Sequence, residues 1–130
     1  KKNNINFLGI QTKDNIKIIF KHSHIFILPT LEESQSLVIG EALSHGLPVI
    51  STPFSGALDY ILDKDKKDFL QKNYSIQIIN PHNLTQFSDA ILNLSNKKNY
   101  INASNYAISI AAKNTWLKSG QNLVKKLELI

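Results

Sequence analysis

The residues best suited to chemistry are two carboxylates, Glu33 and Glu41, eight positions apart on either side of an expected helix start. Between them stand Ser34, Gln35, Ser36, Leu37 and Val38. Ser36 is a favourable N-cap. The amides of Ser36, Leu37 and Val38 are therefore expected to lack helical acceptors and to point back toward the preceding strand end. Unpaired N–H groups and the helix macrodipole together attract an anion. Glu41 follows Leu37 by four residues, one turn or about 5.4 Å further along the same face. This spacing suits a ligand with an anion at one end and a hydroxyl pair at the other, as in the pyrophosphate and ribose of a nucleoside diphosphate. Acidic side chains hold ribose hydroxyls in dinucleotide-binding folds for the same reason. Glu33 lies in the loop before the helix. A carboxylate repels phosphate, so its expected neighbour is a neutral, hydroxyl-rich group such as a sugar.

A site of this kind needs strands that end beside the helix start. The run Ile-Phe-Ile-Leu at 25–28 is continuously apolar, the pattern of a strand covered on both faces of a parallel sheet. Further strands are predicted at 48–51 and 75–79, and a short one at 5–8, closed by Gly9. Helices are predicted at 15–22 with Asp14 as cap, at 37–45 with Gly46 at its end, and at 57–62 after the Ser55-Gly56 turn. Asn83 opens another, with Leu84, Phe87, Ile91, Leu92 and Leu94 at helical spacing. Two more follow at 98–112 and 115–129. The lysine- and aspartate-rich segment 63–72 reads as a solvated connection. Strands alternating with helices, then a helical tail, predict an α/β fold: a Rossmann-like open parallel sheet flanked by helices, as one domain over 1–130. Ligands of such sheets bind outside the carboxyl ends of the strands.

Composition narrows the function further. The net charge is +5, and all fifteen basic residues are lysines scattered along the chain. With no arginine for bidentate contacts to guanine and no RNA-binding signature, nucleic acid is not an expected partner. There are no cysteines, which rules out a disulfide scaffold and a thiolate metal site, and the four histidines show no metal-ligand spacing. No apolar run approaches the length of a membrane span.

The central stretch resembles the retaining GT-B glycosyltransferases known as glycosyl transferases group 1. Their pattern is a strand, then Pro-Ser-x-x-Glu-Gly-Phe-Gly-Leu-x-x-x-Glu-Ala, a Gly-x-Pro-Val strand and a Gly-Gly-x-x-Glu turn. Here the corresponding residues are Pro29-Thr30, Glu33, Leu37, Glu41-Ala42, Gly46-Leu-Pro-Val49 and Ser55-Gly56 with Asp59. Phe7-Leu-Gly9 and Thr115-Trp116 fall where the family has Phe-Leu-Gly and Ser-Trp. The resemblance implies a donor-binding domain for a UDP- or GDP-linked sugar, needing no cofactor or metal. Glu33 would contact the donor sugar near the reacting centre, and Glu41 the ribose. Amides around Ser34, Gln35, Ser36, Leu37 and Val38 would hold the diphosphate, and Ile10, after Gly9, would lie near the base. It also implies a bacterial, cytoplasmic enzyme of polysaccharide synthesis. Such an enzyme works on a glycan or lipid-linked acceptor, with peripheral contact to the inner face of the membrane.

Three departures bear on that expectation. Ser34, Gln35 and Ser36 replace Gly-Phe-Gly, Asp59 replaces a glutamate, and Ser55 a glycine. The family's diphosphate-binding Arg and Lys, and its acceptor domain, would precede Lys1. The chain is thus expected to be an N-terminally truncated donor half, inactive without the rest. A non-catalytic nucleotide- or glycan-binding module and a sugar-nucleotide epimerase of related fold are the alternatives.

Overall fold

The computed structural model describes residues 4–34, 36–60 and 75–127. Its elements are α1 (Lys13–His22), β1 (Phe26–Leu28), α2 (Leu37–Ser44), β2 (Val49–Ser51), a 3-10 turn (Ala57–Tyr60), β3 (Ile76–Ile78), α3 (Leu84–Leu94), α4 (Lys97–Lys113) and α5 (Trp116–Leu127). The three strands are parallel in the order β1-β2-β3. The open α/β sheet expected from the sequence is therefore present. The expectations for 61–62, for the connection 63–72, for Gln35 and for the helix end at 128–129 lie outside the described residues.

Strand register sorts the core into two layers. Phe26, Val49 and Ile76 stand side by side, as do Ile27, Ile50 and Gln77 one residue on. Successive side chains point to opposite faces. On the first face Val49 and Ile76 pack with Phe20 of α1, with Ile39, Ala42 and Leu43 of α2, and with Ala107 and Ile110 of α4. On the second, Ile50 and Ile79 pack with Ala90 and Leu94 of α3 and Ala103 of α4.

Helix α2 ends as its sequence demands. Gly46 has φ of 74°, a conformation that costs side-chain-bearing residues. Leu47 N–H donates to Ala42 C=O and Gly46 N–H to Leu43 C=O, both at 3.0 Å, which is the Schellman pattern. Gly46 also lets α4 approach, since a Cβ there would lie 3.0 Å from Ser104 Oγ. His45 adds a bond from its Nδ1 to Glu41 C=O at 2.8 Å, so this nitrogen carries the proton.

Three expectations are corrected. Residues 5–8 form no strand, and Ile5, Phe7 and Leu8 are exposed; an extended segment gains its ladder only from a neighbour, and none of the described residues pairs with it. β1 is not covered on both faces. Ile27 is 39% exposed because α3 covers the second face over β2 and β3, while β1 stands at the end of the strand order. The cap of α1 is Thr12, whose Oγ1 accepts from Asn15 N–H at 3.3 Å; Asp14 lies inside the first turn and pairs with exposed Lys17.

Candidate functional site

The carboxyl ends of β1 and β2 carry two loops, 29–36 and 52–56, that run beside each other into α2 and the 3-10 turn. They are fastened at three levels. Thr52 Oγ1 donates to Thr30 C=O at 2.6 Å. Glu33 N–H donates to Phe54 C=O at 2.8 Å, and Ser36 N–H to Ser55 C=O at 3.3 Å. Beneath them, Ser51, Thr52 and Ser55 are fully buried hydroxyl residues. Ser51 Oγ lies 2.9 Å from Leu28 C=O and 2.7 Å from Ser55 Oγ, and Ser55 Oγ donates to Thr52 C=O at 2.8 Å. These hydroxyls hold the strand ends together where an apolar side chain would leave carbonyls unmatched.

This network corrects part of the sequence reading. Ser36 occupies the N-cap position of α2 but makes no side-chain cap bond, and its amide is not free, because Ser55 C=O takes it. At the α2 start, the N–H groups of Leu37 and Val38 meet no carbonyl among the described residues. Glu41 is exposed one turn on, and Glu33 and Ser34 are exposed in the entering loop. Glu33, Ser34, Ser36, Leu37, Val38 and Glu41 are therefore assembled at one helix entrance. Ile10 is not brought to them: it is fully exposed, and none of the described residues holds it against that entrance.

Three residues that carry no motif in the sequence, Tyr60, Asn114 and Gly40, shape the entrance. Tyr60 Oη donates to Ser36 C=O at 3.2 Å, tying the 3-10 turn to the cap of α2. Asn114 Nδ2 in turn holds Tyr60 C=O at 3.1 Å. Burial pushes the Tyr60 hydroxyl pKa up, the carboxylates of Asp59 and Glu41 add to the rise, and a backbone hydrogen bond at Gly40 opposes it. Gly40 makes room for that ring, since a Cβ there would stand 2.9 Å from Tyr60 Oη and 3.1 Å from its Cε1. A glycine inside a helix, at a cost of about 1 kcal/mol against alanine, was the available signal of such an approach.

Among the described residues, no three His, Asp or Glu side chains gather as metal ligands would, and no helix is long and apolar enough to cross a membrane.

An open parallel sheet with helices on both faces, and a polar entrance at its strand ends, defines a Rossmann-like α/β domain. The chain matches the glycosyl transferases group 1 family over residues 1–97 and belongs to it. It is 27% identical over 118 residues to probable sucrose-phosphate synthase 1 of Craterostigma plantagineum, covering 89% of this chain and 9% of that protein. It is 28% identical over 116 residues to the sucrose-phosphate synthase of Spinacia oleracea, again covering 89% of this chain and 9% of the relative. It is 27% identical over 116 residues to sucrose-phosphate synthase 1 of Arabidopsis thaliana, at 88% and 9% coverage. The chain thus spans about a tenth of the length of the curated relatives it matches. All three are plant proteins and lend no support to a bacterial setting. No solved structure matches significantly.

Proposed function

We propose that this chain supplies the donor half of a retaining glycosyltransferase, holding a UDP- or GDP-linked sugar at the entrance of α2. The observation that carries the reading is the pairing of open Leu37 and Val38 amides with exposed Glu41 one turn along α2, at the carboxyl ends of parallel strands. The diphosphate meets the two amides and the positive end of the helix. Glu41 accepts from the ribose hydroxyls, and Glu33 orients the sugar. In glycosyl transfer, negative charge builds on the departing diphosphate as an oxocarbenium-like centre forms on the sugar. Donors fixed before that charge appears lower the barrier because nothing reorganises when it forms. The acceptor is a hydroxyl of a glycan or lipid-linked sugar, in a cytoplasmic reaction that requires a second domain. The sucrose-phosphate synthases it resembles are named for making a sucrose phosphate, which agrees with a sugar as one of the two substrates.

One observation favours a binding module without catalysis. The amides of Glu33 and Ser36 are already closed by Phe54 and Ser55, which leaves fewer donors for a leaving group. Calorimetry with UDP and GDP on the intact protein tests the site. Glu41→Ala should weaken binding about tenfold, or about 1.4 kcal/mol; equal binding by both forms, or none by either, refutes the assignment. Donor hydrolysis abolished by Glu33→Ala at unchanged nucleotide affinity separates the enzyme from the module.

A further inference from the structure

A second concavity lies away from the α2 entrance, between β3 and α3. It is a groove of about 290 Å³ lined by Gln77 and two isoleucines, Ile78 and Ile79, on the strand side and by Gln86, Asp89, Ala90 and Asn93 on the helix. The helix residues are spaced three, one and three apart, so they form one stripe about 10 Å long. Gln77 pairs in register with Ile50, which places its side chain on the face that α3 covers. Its Nε2 is buried and meets no hydrogen-bond partner among the described residues. Buried donors are almost always matched, and one that faces a groove can take its match from outside the chain, from water or from a ligand acceptor that displaces it.

The groove's chemistry selects the class of that acceptor. Asp89 brings a carboxylate that only accepts, while the buried Gln77 nitrogen only donates. Asn93 Oδ1 already accepts from Asn99 Nδ2, leaving the Asn93 amide nitrogen to the groove. A phosphate would meet Asp89 with no lysine in the lining to offset the repulsion, and an ammonium group would leave Gln77 unmatched. A hydroxyl accepts from Gln77 and donates to Asp89. The groove has room for on the order of ten waters by liquid volume, and its size is near the ~300 Å³ lower end of small-molecule sites.

We propose that the groove between β3 and α3 binds a neutral saccharide through Gln77, Gln86, Asp89 and Asn93, as a sugar site separate from the α2 entrance. The proposal does not depend on nucleotide binding at that entrance. The test is saturation-transfer NMR on the intact protein with glucose and sucrose as probes, with UDP present and absent. Saturable binding of at least one sugar is expected, unaffected by UDP, and weakened about tenfold or more by Asp89→Ala. Gln77→Leu keeps the side-chain bulk and removes the unmatched donor. It should therefore abolish sugar binding while raising Tm, a combination that a purely structural glutamine would not give. No saturable signal with either sugar overturns the proposal, as does binding unchanged in both variants. It is also overturned if sugars fail and an extended apolar peptide binds instead, which would mark the β3 edge as a strand-addition site.

Discussion

The contact between Gly40 and Tyr60 sets up a stability measurement whose sign is informative. In an ordinary helix interior, Gly40→Ala stabilises by about 1 kcal/mol. Here the new methyl would stand 2.9 Å from Tyr60 Oη and 3.1–3.3 Å from two ring carbons. The ring cannot simply swing away, because its hydroxyl is bonded to Ser36 C=O. Overpacking costs about 1–3 kcal/mol, and losing the hydroxyl bond about 1 kcal/mol more. Set against the propensity gain, the substitution should destabilise by roughly 1–3 kcal/mol. With Tyr60→Ala beside it the obstacle is gone, and Gly40→Ala should then stabilise by up to ~1 kcal/mol. The four proteins of this cycle, unfolded in urea and extrapolated to water, should give a coupling of roughly 2–4 kcal/mol, at or above the upper range for contacting residues. The reasoning is refuted if Gly40→Ala stabilises the protein with Tyr60 in place, or if it costs the same with and without the ring. Because the displaced bond anchors the cap of α2, UDP and GDP affinity should fall in the single variant as well.

The same tyrosine gives a pH dependence. Its hydroxyl is harder to ionise when folded, so the stability it contributes is complete below its unfolded pKa of about 10 and is lost as pH rises through the folded value. Thermal unfolding followed upward from pH 9 should show a steeper loss in the parent protein than in Tyr60→Phe; parallel curves would count against the assignment. At the start of α3, Asn83 Oδ1 caps Gln86 N–H at 3.0 Å, so Asn83→Ala should cost about 1 kcal/mol in urea unfolding. Leu43 of α2 is fully buried between the sheet and α4, so Leu43→Ala should cost about 2–5 kcal/mol and lower Tm. Thr52→Val removes the hydroxyl that holds Thr30 C=O; it should loosen the entrance, seen as faster amide exchange at Glu33, with a stability loss of about 1 kcal/mol.

What the sequence revealed was what local chemistry decides. Apolar runs bounded by Pro48 and by Asn80-Pro81 located β2 and β3, and Asn83 and Gly46 marked helix ends because a side-chain oxygen and a positive φ are needed there. Thr12 and Asp14 are both good cap residues, and only the path of the chain selects Thr12. Residues 5–8 have strand propensity, but the ladder depends on a neighbour, and the described residues offer none. The bond from Ser36 N–H to Ser55 joins residues nineteen apart, so no local pattern announces it. Gln77 was an ordinary polar residue in an extended run until register set it under α3.

The loss of Gly-Phe-Gly can now be understood from the backbone. Among the described residues, φ is positive only at Gly9, Gly46 and Gly56, and Ser36 sits at −86°. The loop into α2 has therefore not forced serines into a glycine conformation. At Ser36 the chain takes a path open to any residue, and Glu33 and Ser36 turn their amides to the neighbouring loop. Glycines at these positions would free the backbone to approach a ligand closely; the serines exchange that approach for a fastened entrance. The entrance keeps two amides at the first turn of α2 that meet no acceptor among the described residues, and the exposed carboxylate of Glu41. On the proposed reading, a nucleotide-sugar would be held by its diphosphate mainly at the helix start, so its affinity would depend on the position of that first turn, and so on Tyr60 and Gly40 beneath it.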